Sequence, residues 1–336
     1  MKKKVKIFLI ILSVILAIVL ALGVTFVVLH ELGKNQFHKG DTNISVDSAE
    51  TNNDEDTVTI NGKSYTRNKN IITVLFMGID KNDVTVGRGY GSNGQADCIF
   101  LAAIDTVKRR LTIIPISREV MVDVNTYTTE GAYSGTQNMQ LCLAYAYGNS
   151  PKESSENVIT SVKRLLFGIN IGSYITVDMN GIGKFTELIG GIELQSIEAV
   201  KIEGADVAVG QKLKLSGKSA FDYIHYRGDD LEANYRRMQR QKQFLTALAN
   251  KSGNLILDNF SRLGAYYREM SPYFHSDITL SQITYLVSSC ITSNMGDMME
   301  YKIIDGTLSM GEEWVEFYAD ENSVLDAVLG TFYIEQ

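Results

Sequence analysis

Three cysteines in 336 residues, Cys98, Cys142 and Cys290, are too few and too far apart for a disulfide framework or a thiolate metal site. They read as buried free thiols. The four histidines, His30, His38, His225 and His275, share no metal-ligand spacing, and no G-x-S-x-G occurs. Neither a zinc protease nor a serine esterase is therefore expected. Acidic residues are missing from the first 30 positions, which hold four lysines; the rest sets 28 basic residues against 39 acidic ones, a balance of −11. That body lacks the broad positive surface a phosphate backbone needs, so no nucleic-acid partner is expected and any anion site must be local. Internal repeats, a heptad seam and low-complexity tracts are also absent.

What is present begins with MKKKVK and an uncharged apolar run over 7–29. At about 1.5 Å per residue this run is long enough for a hydrocarbon core of roughly 30 Å. The lysines predict a cytoplasmic tail (1–6), one transmembrane helix (7–29) and an extracellular remainder, which makes a single-pass cell-membrane protein. A cleaved signal peptide is the rival reading, but the run exceeds the usual apolar core of such peptides. Residues 30–56, polar and poor in large apolar side chains, read as an extracellular linker. A β-ribbon over 57–69 is predicted from alternation around Asn61-Gly62.

The body begins near Asn70. Apolar runs at 71–77, 99–104 and 111–116 have strand length, and 174–177 and 192–194 add shorter strands. Helices are expected at 139–147, 153–167, 180–189, after Ser216 and from Asn234 onward. Alternation of the two types gives an α/β class, with a central mixed β-sheet flanked by helices over 70–251. Residues 252–336 read as a C-terminal α/β extension packed on it, with helices at 255–270, 280–289 and 323–329 and strands at 300–304 and 314–318. Gly89, Gly91 and Gly94 form a formal G-x-G-x-x-G, but it leads into a strand instead of a helix, so it is no dinucleotide fingerprint.

Two places carry candidate chemistry. The stretch 224–245 packs Arg227, Arg236, Arg237 and Arg240 into fourteen residues. Arg237, Arg240 and Gln241 can share one helix face, and guanidinium forks near a helix N-terminus suit a phosphate or pyrophosphate. A solvated basic face paired with Asp229, Asp230 and Glu232 is the other reading. Asp80 ends the first strand, Asp97 precedes the second and Arg118 follows the third. Two carboxylates at one end of a sheet, where ligands usually bind in open α/β folds, could hold a divalent cation or simply cap turns.

These segments, in order, resemble the LytR-CpsA-Psr family of Gram-positive envelope proteins. The resemblance covers about 70–251 and runs through Gly78-Ile79-Asp80, Gln95-Ala96-Asp97-Cys98, Pro115-Ile116-Ser117-Arg118-Glu119 and Ala144-Tyr145-Ala146-Tyr147-Gly148. It continues through Gly190-Gly191-Ile192, Leu215 to Phe221, His225-Tyr226-Arg227 and Asn234 to Gln241. It implies a phosphotransferase that attaches a polyprenyl-pyrophosphate-linked glycopolymer, of teichoic acid or capsule type, to peptidoglycan. The lipid tail would occupy an apolar tunnel. Carried over, Arg118, Arg227 and Arg237 are catalytic, these three with Arg240 and Gln241 bind substrate, and Asp80 and Asp97 support Mg²⁺. Departures are Asn82, Gln95 and His225 at family arginine positions and Asn234 at an aspartate. Histidine is mostly neutral at pH 7 and the amides carry no charge, which weakens an anion clamp. The alternative they favour is a non-catalytic polyprenyl-phosphate-binding module of the same fold.

Overall fold

In the computed structural model, residues 28, 30–36, 50–51, 56–228, 230–258, 263–290, 296 and 298–336 are described. Among them no helix is long and apolar enough to cross a membrane; the predicted 7–29 span lies, except for Val28, outside the described residues.

A six-stranded mixed sheet forms the centre. Its order is Phe274–Ser276, Ser173–Val177, Ile71–Ile79, Ala96–Asp105, Arg110–Ile116, Met299–Tyr301. The Ile71–Ile79 strand runs parallel to Ser173–Val177 and antiparallel to Ala96–Asp105. The strands are nearly continuous apolar runs because both faces are covered. Leu75, Met77, Leu101 and Ile114 point to a core completed by Val158, Val162 and Leu166 of the helix Pro151–Leu165 and its end. Phe76, Phe100, Ile113, Pro115 and Ile175 point the other way, towards the helices Met179–Leu188, Lys218–His225 and Ala233–Asp258. Between that face and those helices the packing leaves an apolar cavity of about 370 Å³.

Several sequence expectations meet a different local structure. The helix predicted at 139–147 is split: Tyr133–Gln140 is a strand paired with Met121–Tyr127, and only Leu141–Tyr147 turns, as a 3₁₀ helix. Hairpin pairing across Met121↔Gln140 and Val122↔Met139 overrides the helical propensity of that segment. Gly148 follows because a side chain there would meet Ser154 N at 2.1 Å. Residues 252–336 are not merely packed on the sheet; they supply both of its edge strands, and Tyr333–Glu335 pairs with Lys63–Arg67 of the ribbon. The long helix also crosses the expected boundary, running Ala233–Asp258 without a break at 251. Within the predicted linker, residues 30–36 are helical, and a side chain on Gly33 would meet Ser281 O at 2.2 Å.

Candidate functional site

Strand register alone brings the first group together. Ile99 pairs with Ile116 and Leu101 with Ile114, so the ladder extended by two residues sets Arg118 opposite Asp97. Arg118 Nη1 stands 3.1 Å from Asp97 Oδ1, and its Nη2 donates to the Gln95 side-chain oxygen and, at 3.3 Å, to Cys142 Sγ. Asp80 is tied to the same edge: its amide donates to Gln95 O at 3.1 Å, and its Oδ1 accepts from Gln95 N at 2.5 Å. Asp178, after the parallel strand Ser173–Val177, accepts from the N–H groups of Asn180 and Gly181 and so caps the helix Met179–Leu188. Asp80, Asp97 and Asp178 line one small pocket with His225, Arg237 and Gln241.

The long helix supplies the second group. Arg237, 2% exposed, places Nη1 3.6 Å from Asp97 Oδ2, and its Nη2 donates to Asn234 Oδ1 at 2.7 Å and to Asp97 O at 3.3 Å. Asn234 is the second residue of that helix. Its side chain bridges Arg237 to Ser117 Oγ at 3.1 Å. His225 Nε2 lies 3.6 Å from Asp97 Oδ2. Arg227 reaches Glu119 at 2.8 Å, beside Arg118. Arg118, Arg237 and Asp97 are therefore in direct contact, with Arg227 joined through Glu119.

Arg240 stands apart from this cluster, and Gln241 lies at its border. Arg240 is 1% exposed; its guanidinium pairs with Glu198, donates to the carbonyls of Tyr223 and Tyr226, and sits 5.5 Å from the Tyr226 ring centre. With its donors taken, it is a packing and fold-closing residue and not part of an open anion site. Gln241 Nε2 makes one long bond, 3.4 Å, to Ile224 O. It stands where the small polar pocket meets the apolar cavity, along with Phe76, Cys98, Ile182 and Ile224. The cavity thus adjoins the pocket that holds Asp97 and Arg237.

Electrostatics follow from burial and these partners. Asp97 resists the desolvation of its carboxylate: the His225 hydrogen bond and the Arg118 and Arg237 charges hold it below the usual range. Burial pushes Asp80 upwards, and the Asp97 charge adds to this against the Gln95 N–H bond. Glu119 is also raised by burial, against the charges of Arg227, Arg118 and Arg237. Asp178 is pushed up to about 6 by burial, opposed by its two N–H bonds. Cys98, on the cavity wall, is raised to about 12 by burial, as an inert structural thiol should be. Asp97 Oδ1, Arg118 Nε and Arg237 Nε are buried without a hydrogen-bond partner among the described residues. Asp97 Oδ1 is nonetheless ion-paired with Arg118, and a bound polar ligand or water is what the two Nε donors would require.

The donor set fits Mg²⁺. Among the described residues no group of three or more His, Cys, Asp or Glu could hold a metal, but Mg²⁺ typically takes one or two carboxylates and fills its shell with water and phosphate oxygens. Asp80 and Asp97 repel each other in this pocket. Gly94, at φ +85°, leaves open the space where a side chain would sit 2.9 Å from Asp80 Oδ1.

Sequence reasoning did not assign Asp178, Glu119 or Asn234 a place in the site. The position of Asp178, at the end of an apolar strand and the start of a helix, was the available signal for the first.

The site thus sets buried arginines, counterbalanced by carboxylates, beside an apolar cavity in a mixed α/β fold. The chain belongs to the LytR_cpsA_psr family, whose model matches residues 36–327. Among curated relatives, the polyisoprenyl-teichoic acid–peptidoglycan teichoic acid transferase TagU of Enterococcus faecalis is 27% identical over 218 residues, 64% of this chain and 64% of that protein. The chain thus spans less than two thirds of that relative's length. The crystal structure of B. subtilis TagV superimposes with a TM-score of 0.62 at 20% identity, covering 79% of this chain and 96% of that one. TagT bound to LI-WTA gives 0.57 at 16% identity, covering 78% and 90%. These structural likenesses establish the fold.

Proposed function

We propose that this is a membrane-anchored, extracellular phosphotransferase that moves a glycopolymer from a polyprenyl-pyrophosphate carrier to a peptidoglycan hydroxyl. The observation that carries this reading is the continuity between the apolar cavity and the Arg118–Asp97–Arg237 cluster through Gln241. A well-packed protein rarely leaves an apolar void of this size beneath its sheet; one with a polar mouth is shaped for a lipid tail and its phosphate head. The enterococcal and bacillar relatives named as teichoic acid transferases support the same chemistry.

Arg118 and Arg237 would receive the phosphate oxygens, with Arg227 adding charge from beside Glu119 and Gln241 aligning the head at the cavity mouth. Asp80 and Asp97 would hold Mg²⁺, which neutralises phosphate charge when bound. The acceptor oxygen bonds to the phosphorus that carries the polymer, the bond from that phosphorus to the lipid-phosphate oxygen breaks, the hydroxyl proton is taken up by the departing lipid phosphate, and polyprenyl phosphate remains in the cavity. Phosphoryl transfer asks chiefly for position and charge stabilisation, which fixed guanidinium groups provide. The apolar run at 7–29 would keep the domain near the bilayer that supplies the carrier.

A binding-only module is favoured by one feature: Gln95, at a family arginine position, adds no charge and occupies an Arg118 donor. Incubation of the detergent-solubilised full chain with lipid-linked polymer, peptidoglycan and Mg²⁺ separates the two. Product from the parent and none from Arg118→Ala supports transfer, whereas retained lipid without product supports the module.

A further inference from the structure

A second cavity, of about 310 Å³, lies on another side of the long helix. It runs between the start of that helix, the end of strand Arg110–Ile116 and the hairpin Gly306–Met310/Val315–Ala319. Pro115, Met238 and Lys242 line both this groove and the apolar cavity, so one strand end and one helix separate the two. Asn234 and Ser117 form part of the groove wall, and Asn234 is the residue bonded to Arg237. The groove therefore comes within one residue of Arg237, at Asn234, on a side away from the apolar cavity.

Its lining is aliphatic in large part, with Ile116, Val120, Leu165, Ile304 and Leu308, but it carries more polar surface than the apolar cavity. Tyr235 is 54% exposed, Phe317 is half-buried, and Glu232, Gln239 and Asp305 stand among them. The side chains of these last three have no hydrogen bond or ion pair among the described residues. Aromatic faces beside unengaged carboxylates and an amide suit a ligand with apolar ring faces and a rim of hydroxyls. That is the chemistry of a sugar chain.

We propose that this groove binds the acceptor glycan and delivers its hydroxyl past Asn234 to the phosphate. The inference rests on the phosphotransferase reading for the meaning of "acceptor". In-line displacement sets the attacking and leaving oxygens on opposite sides of phosphorus. With the leaving polyprenyl phosphate held on the apolar-cavity side, the attacking hydroxyl must come from elsewhere, and the groove meets the cluster there. The polymer already on the phosphorus is the competing occupant.

The test uses the detergent-solubilised full chain loaded with polyprenyl monophosphate, which supplies tail and phosphate but no polymer. A muramidase-released peptidoglycan disaccharide and a glycerol phosphate oligomer are titrated separately by calorimetry, and lipid retention is followed by mass spectrometry. The groove assignment expects the disaccharide to bind the parent and both Tyr235→Ala and Gln239→Ala to weaken it about tenfold with lipid retention unchanged. Two substitutions guard against a single misfolded variant. No disaccharide binding, binding indifferent to both substitutions, or tighter binding of the oligomer with the same sensitivity would overturn the assignment. A parent that binds disaccharide through Tyr235 but retains no lipid would leave the groove standing and remove the phosphotransferase reading.

Discussion

Replacing Asp97 by asparagine keeps the shape of the side chain and removes the charge that faces Arg118 at 3.1 Å and Arg237 and His225 at 3.6 Å. Breaking a buried ion pair from one side costs about 3–5 kcal/mol, because the partner charge stays desolvated. Here Arg237 keeps its bonds to Asn234 and to the backbone carbonyl of residue 97, and Arg118 keeps Gln95. These remaining bonds lower the expectation to about 2 kcal/mol at pH 7. The sign with pH is fixed by the depressed value of Asp97. Its stabilisation is present above the unfolded aspartate range, near ~4, and is lost as pH falls through the lower folded value. Urea unfolding of the solubilised chain should show the gap between parent and variant at pH 7 and a shrinking gap below about pH 4. A gap under about 0.5 kcal/mol at pH 7, the scatter expected of a surface change, would refute the reasoning. So would a gap of the same size at every pH.

Asp178 behaves in the opposite sense. A carboxyl raised to about 6 in the fold contributes stability at low pH that is lost as pH rises towards that value. Asn caps helices as well as Asp, so Asp178→Asn should be more stable than the parent by about 1–2 kcal/mol at pH 7.5 and equal to it below pH ~4, read by thermal melts. Lower stability of the variant at both pH values would show that the cap needs the charge. Arg240→Gln should cost about 3 kcal/mol of unfolding free energy, since it strips Glu198 and two carbonyls of a buried donor, while polyprenyl phosphate affinity in the folded fraction moves less than about threefold. Arg118→Gln should reverse that pattern, losing about ten- to a hundredfold in affinity with a smaller change in stability.

The framework of the site was legible because strand ends are legible. Apolar runs at 71–77, 99–104 and 111–116 set the places of Asp80, Asp97 and Arg118, and antiparallel register does the rest. The three-residue step from Asn234 to Arg237 within the long helix sets those two side chains side by side, where they bond. Arg240 misled because helical spacing fixes which face a residue shares but not what covers that face; Glu198, 42 residues earlier, takes the charge. The edge strand Phe274–Ser276, and the pairing of Met299–Tyr301 from the predicted 300–304 strand, were hidden for a related reason. Three-residue edge strands carry little periodicity, and their pairing depends on partners about a hundred or more residues away. The wall of the apolar cavity could not be read at all, since Phe76, Phe100 and Ile175 alternate in sequence just as ordinary core residues do.

The most direct test of the account is native mass spectrometry of the full chain purified in detergent from the cells that make it, beside Arg237→Gln prepared in the same way. A polyprenyl phosphate or pyrophosphate bound one to one in the parent and lost from the variant is the expected result. A parent that carries no such lipid even after incubation with polyprenyl phosphate would contradict it.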